Sequence, residues 1–182
     1  MNKKSVRQKI IDTAARLFYK QGYGNTGINQ IIEEAGIAKS SLYQHFQSKE
    51  DLFMEYLEQS GQHTREALAA AISGVHSPGE KIIAVFDYLE TLAQENGFQG
   101  CSFLNIVYEI PGESVRIKGQ VKVQKDLLRQ LFAETLKPMN KQQAADEIYT
   151  LFEGALIANK VHNEVWPIVT ARNIVRKLLD IF

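Results

Sequence analysis

The chain has a single cysteine, Cys101, among 182 residues, so it holds neither an internal disulfide framework nor a paired-cysteine metal clip. No apolar run approaches the ~18 residues that a membrane-spanning helix needs. The opening stretch, MNKKSVRQKIIDTAARLF, is charged throughout and lacks the short apolar block of a signal peptide. These absences lead to the expectation of a cytoplasmic protein. Period-two alternation bounded by turn dipeptides is also missing, which argues against a sheet. His45, His63, His76 and His162 are scattered. No metal-spaced pair, nucleophile motif or glycine-rich phosphate loop occurs, so no enzyme, cofactor or metal is expected.

Apolar residues make up 45% and charged residues 23% of the chain, the balance of an ordinary globular protein. The formal net charge is zero, but it is unevenly distributed. Residues 1–50 carry eight Lys/Arg against four acids, and the remainder carries 13 against 17. A basic head on an acidic body points to an anionic partner for the head, either nucleic acid or a membrane surface.

Helix starts and stops recur along the chain. Ser5 with Gln8 opens a helix stopped by Gly22 and Gly24, and Ser48 with Asp51 opens a long one ending near Ser73. Ser77-Pro78-Gly79-Glu80 is a strong start. Further helices are read over CSFLNIVYEI, over ESVRIKGQVKVQKDLLRQLFAETLK as far as Pro138, from Asn140 with Gln143 to about Val161, and from Pro167 to the end. The fold class is all-α, with about nine helices: a three-helix head over 1–48 and a helical body over 49–182.

Within the head, INQIIEEAG is a short helix closed by Gly36, and KSSLYQHF follows directly after Ile37-Ala38. Two short helices joined by a glycine-containing turn beneath a longer helix make a helix-turn-helix, whose second helix fits a major groove. Leu42 and Phe46 face inward on that second helix. Lys39, Ser40 and Gln44 face outward toward base edges, with Ser41 on the same helix and Tyr43 and His45 flanking that face. Thr26 and Lys49 lie at helix starts where phosphates would pass, and Lys3, Lys4 and Arg7 form a basic arm.

The stretch Gly22, Tyr23, Thr26, Ile28, Ile31, Ala35, Gly36, Ile37, then SLYQHFQSKE over 41–50 and Leu52, resembles the signature of the TetR family of bacterial transcriptional regulators. The resemblance implies a homodimeric repressor that binds a palindromic DNA operator through its N-terminal helices and is released by a small-molecule inducer. A DNA-binding structural or adaptor protein controlled by protein partners, without an inducer, is the alternative. Gly27, Ala38 and Ile32 depart from the family pattern. The first two remove capping hydroxyls, leaving Thr26 to serve and a recognition helix expected to order fully only on DNA; the third alters packing between the short helices.

In the body, Gly154, Ala155 and Ala158 on one helix and Ala171, Ile174 and Leu178 on the last form faces suited to close helix approach, and the resemblance places the dimer there. Phe98, Cys101, Phe103, Asn105, Tyr108 and Glu109 crowd a short central helix. Phe86, Phe132, Tyr149, Phe152 and Glu153 lie on helices expected to surround it. Together they are the candidate inducer pocket, although core packing accounts for the aromatics equally well. Cys101 has no Lys, Arg or His within four residues and is read as an inert small hydrophobe.

Overall fold

The computed structural model describes residues 5–95, 100–110 and 114–180; nine α-helices and two short 3-10 turns follow one another there, and no strand occurs among the described residues. The all-α expectation holds. Lys3, Lys4 and Phe98 lie outside the described residues. The chain divides into two compact units, Met1–Gln62 with Ser102–Lys122, and His63–Cys101 with Val123–Phe182. The functional border expected near Ser48 falls inside the first unit.

In the first unit, α1 (Val6–Gln21) begins where the Gln8 N–H donates to Ser5 Oγ at 3.2 Å. The Gln8 amide does not return to the cap but continues to Asp12 at 2.8 Å. Gly22, at φ 85°, ends the helix by donating to the Phe18 carbonyl. Helix α2 (Ile28–Ala35) closes at Gly36, whose φ of 61° and ψ of 45° place it in the left-handed region open to glycine at no steric cost. The Ile37 N–H reaches back to the Ile32 carbonyl at 3.2 Å, completing the reverse turn into α3 (Lys39–His45). Helix α4 (Lys49–Ile72) starts with the Asp51 N–H on Ser48 Oγ at 3.0 Å and the Ser48 hydroxyl on the Asp51 carboxylate at 2.8 Å.

Ile10, Ile11, Leu17 and Phe18 of α1 are buried together with Ile31, Leu42, Leu52, Phe53 and Leu57. The Phe18 and Phe53 rings meet edge to face at 4.9 Å, and Tyr23 meets Phe53 at 4.6 Å. Helix α6 (Ser102–Glu109) adds buried Phe103 and Ile106 to this unit. The start of α7 (Val115–Leu136) is tied to α4 by Arg116, 2.9 Å from Asp51 and 3.3 Å from Glu50, and by Gln120, 2.7 Å from Glu58.

In the second unit, α5 (Pro78–Gln94), α8 (Ala145–His162) and α9 (Trp166–Leu178) share a core with the end of α7. Phe86 and Phe132 are fully buried, and Phe152 sets its ring edge-on to both, at 5.7 and 5.9 Å. Arg172 of α9 bridges Asp87 and Glu90 of α5. Pro78 occupies the first helical position as expected, but Ser77 makes no side-chain cap.

One boundary differs from the sequence reading. Asn140 does not open a helix. It sits at φ 56° and closes the 3-10 turn Lys137–Met139, a second turn follows over Gln142–Ala144, and α8 begins only at Ala145. Asn tolerates the left-handed conformation, and here that tolerance outweighs its capping propensity.

Candidate nucleic-acid interface

Helix α3 divides sharply by burial. Leu42 is 0% and Phe46 5% exposed, whereas Lys39, Ser40, Tyr43, Gln44 and His45 are exposed and Ser41 is half-buried. Ala38 offers no side-chain cap, yet the helix is formed, held by the Ser41 and Leu42 amides on the Ala38 carbonyl at 3.0 and 3.4 Å. A missing hydroxyl cap costs ~1 kcal/mol. Burying a leucine side chain returns about 1.5–3 kcal/mol, and Phe46 adds to that, so packing wins. The expectation of a helix ordered only on DNA is therefore corrected.

Two expected phosphate contacts have other work in the structure. Thr26 is fully buried and its hydroxyl donates to the Gly22 carbonyl at 2.6 Å, so it neither caps α2 nor faces solvent; Gly27 is the cap position. Lys49 Nζ donates to the Tyr23 and Thr26 carbonyls at 2.8 and 3.1 Å and lies 4.1 Å from the centre of the Tyr23 ring. Burial holds the Lys49 ammonium below its usual pKa, with Glu109 opposing the shift. Arg7 does not form a free arm either: it pairs with Glu55 at 2.7 Å and lies over the Phe46 ring.

A residue the sequence reading assigned to the pocket belongs to this loop instead. Glu109, at the end of α6, accepts the Gly24 N–H at 3.1 Å. A Cβ on Gly22 would stand 2.5 Å from its carboxylate, so the glycine serves both a positive φ and a close approach. Nothing in sequence spacing links positions 85 residues apart. The Gly22/Gly24 pair is the one local sign that something comes near.

The other pocket candidates separate by unit. Phe103 is buried in the first unit and Tyr108 is 77% exposed, so neither lines an inducer cavity there. Asn105 and Glu109 border a cavity of about 10 Å³ with Tyr19, Tyr23, Tyr56 and Ser102, room for a single water, against the about 300–1,000 Å³ of small-molecule sites. In the second unit Phe86, Phe132 and Phe152 are core. Beside them, Lys125, missed in the sequence, donates to both Glu153 oxygens at 2.7 and 2.8 Å and to Cys101 Sγ at 3.5 Å. Burial works to lower the Lys125 pKa, but Cys101 and the Glu153 carboxylate outweigh it and hold the ammonium above its usual value. Burial and then Glu153 push the Tyr149 phenol up. The absence of a cation near Cys101 is thus corrected: the partner comes from 24 residues further along the chain.

On the expected dimer faces, Gly154 and Ile174 are exposed and Ala158 and Leu178 half-buried, while Ala155 and Ala171 are buried within their own unit. Ile157, Val161 and Trp166 are further exposed apolar side chains on α8 and α9. Among the described residues, no group of three His, Cys, Asp or Glu is placed to hold a metal, and no helix is long and apolar enough to cross a membrane.

A long first helix, a short second one, a left-handed glycine and a short helix with one buried and one polar exposed face define a helix-turn-helix protein. Residues 10–56 match the family described as Bacterial regulatory proteins, tetR family. The HTH-type transcriptional regulator LmrA of Bacillus subtilis (strain 168) is 43% identical over 79 residues, 43% of this chain. The chain thus spans about two fifths (42%) of that relative's length. The HTH-type transcriptional regulator of the lacX 3' region of Lactococcus lactis subsp. lactis is 25% identical over 90% of this chain and 88% of its own. The crystal structure of SCO4454, a TetR-family transcriptional regulator from Streptomyces coelicolor, superposes with a TM-score of 0.90 at 27% identity, over 96% of this chain and 88% of that one. Residues 10–56 are thus similar to the tetR family of bacterial regulatory proteins, and the fold over 96% of the chain is similar to that of a TetR-family regulator.

Proposed function

We propose that the protein is a cytoplasmic, DNA-binding transcriptional regulator, a homodimeric repressor that binds a palindromic operator and is released by a small-molecule inducer. The observation that carries this reading is the exposed row Lys39, Ser40, Tyr43, Gln44 and His45 on a helix anchored by buried Leu42 and Phe46. Side chains so held reach base edges while the anchor sets the helix's height above the groove. Lys3 and Lys4 fit the same reading as phosphate contacts. Lys49, held to the Tyr23 and Thr26 carbonyls, supports the loop that launches the helix before α3.

Homodimerisation is supported by the exposed apolar side chains Ile157, Val161, Trp166 and Ile174 beside exposed Gly154. Two paired heads set ~34–36 Å apart read successive grooves, which calls for a palindrome. The inducer site is supported by the Lys125, Glu153, Cys101 and Tyr149 cluster beside Phe152, where polar groups meet an apolar wall. An inducer must favour the released state by ~5.5 kcal/mol to switch the population from 1:99 to 99:1. The edge-to-face filling of Phe86, Phe132 and Phe152 favours the alternative, a regulator controlled by protein partners without an inducer.

The test is selection of duplexes from a random pool, followed by titration against salt. With about eight phosphates neutralised per dimer, log affinity falls against log salt with a slope near −7. A slope near zero, or no duplex enriched, overturns the reading.

A further inference from the structure

Helix α6 is pinned at both ends, to α4 and to the loop between α1 and α2. At its start, Ser102 Oγ and the Tyr56 hydroxyl of α4 share a hydrogen bond of 2.6 Å. At its end, the Glu109 carboxylate receives the Gly24 N–H at 3.1 Å. Phe103 and Ile106 are buried between these pins, at 5% and 2% exposure. Loop 22–26 therefore gathers three groups that each hold it. Lys49 takes the Tyr23 and Thr26 carbonyls, the Thr26 hydroxyl takes the Gly22 carbonyl, and Glu109 takes the Gly24 amide. The lysine and threonine consume the loop's carbonyls as acceptors. Glu109 differs from these two in accepting, from the Gly24 N–H, and its charge stabilises the Lys49 ammonium that burial works against.

The loop launches α2, and through Lys49 it is tied to the first residue of α4. The height and angle of α3 depend on both, since α3 packs on α2 and runs directly into α4 through residues 46–48. On the reading of α3 as the DNA-contacting helix, we propose that Glu109 is a positioning residue for DNA binding: a carboxylate, delivered from α6, that locks loop 22–26 and so sets α3, while touching no DNA itself. The carboxylate also comes against Gly22, where a methyl group would stand 2.5 Å from it and make this end of the side chain shift. Displacement of α6 withdraws the carboxylate from the loop, which makes this contact a direct connection between that helix and the head.

The test compares Glu109→Ala and Glu109→Gln with the wild-type dimer. One hydrogen bond to an exposed carboxylate contributes about a fivefold change in equilibrium, so Glu109→Ala weakens binding to a duplex selected by the wild type about fivefold. Glu109→Gln keeps an acceptor for the Gly24 N–H and recovers most of that loss. Amide exchange at Gly24 and Asn25 in the DNA-free protein accelerates in Glu109→Ala and returns toward wild type in Glu109→Gln, while the thermal midpoint of both variants stays at the wild-type value. Unchanged exchange and unchanged affinity in Glu109→Ala overturn the proposal, as does an affinity loss that tracks a lowered thermal midpoint. Should the wild type select no duplex, the DNA-binding reading falls, and with it the functional role given to Glu109, whereas the exchange data still decide whether the carboxylate locks the loop.

Discussion

Helix α3 of the first unit and helices α8 and α9 of the second leave opposite kinds of surface uncovered. In the first, the side chains exposed on α3 are polar, Lys39, Ser40, Gln44 and His45 with Tyr43, over an apolar anchor. In the second, α8 and α9 expose Ile157, Val161, Trp166 and Ile174 over an equally apolar core. Polar groups held out on a buried anchor suit a hydrated, hydrogen-bonding partner whose sequence has to be read. Apolar groups held out on a core suit a partner that removes them from water, for which a second copy of the same face is the simplest candidate. The interiors differ as well. The first unit keeps its ionic contacts at the rim, as in Arg7 with Glu55 and Arg16 with Glu34, whereas the second places Lys125 and Glu153 together at 14% and 12% side-chain exposure.

The largest expected effect probes that interior difference. Glu153→Ala strands the Lys125 charge and costs about 3 kcal/mol of stability, read from the denaturant midpoint. The paired change Lys125→Met with Glu153→Leu stays close to wild type, because both charges leave together. Equal losses in the single and paired variants would erase the distinction. Second, Ile174→Asp places a carboxylate on the proposed dimer face. It raises the dimer dissociation constant about 100-fold in sedimentation, with the circular dichroism of the helices unchanged. Third, Gln44→Ala costs about 1–3 kcal/mol on the selected duplex and relaxes preference at one base position, whereas Lys49→Ala weakens all sequences alike.

The smallest effect concerns the start of α4. Ser48→Ala removes a cap worth ~1 kcal/mol, measurable by thermal denaturation. The Ser48 hydroxyl and the Arg116 guanidinium hold the Asp51 carboxyl below its usual pKa. A depressed carboxylate contributes stability at neutral pH that is lost as pH falls through its folded-state pKa. Ser48→Ala therefore flattens the acid limb of the stability profile, and an unaltered limb would show that Asp51 draws nothing from its cap.

Helix starts and the buried face of α3 were legible because they depend on neighbours within a few residues. Ser5, Ser48, Gly22 and Gly36 each act on backbone three to five positions away, and Leu42 and Phe46 lie one helical turn apart. Asn140 differs from the expectation because capping and left-handed turns favour the same residue type, and here it closes the turn Lys137–Met139. The candidate pocket was less legible for a different reason. Aromatic residues at helical spacing look the same whether they surround a void or fill one, and Phe86 and Phe132 each meet Phe152 edge to face.

Local pattern was sufficient for the helical class, the glycine turn and the polar row on the second short helix, since short-range sterics, capping and periodicity decide those. Long-range encounters decided the rest: Glu109 on the Gly24 amide across 85 residues and Lys125 on Cys101 across 24. Such pairings arise only when packing brings distant helices together, because a hydrogen bond or ion pair forms within a few ångströms and leaves no period in the chain to betray it.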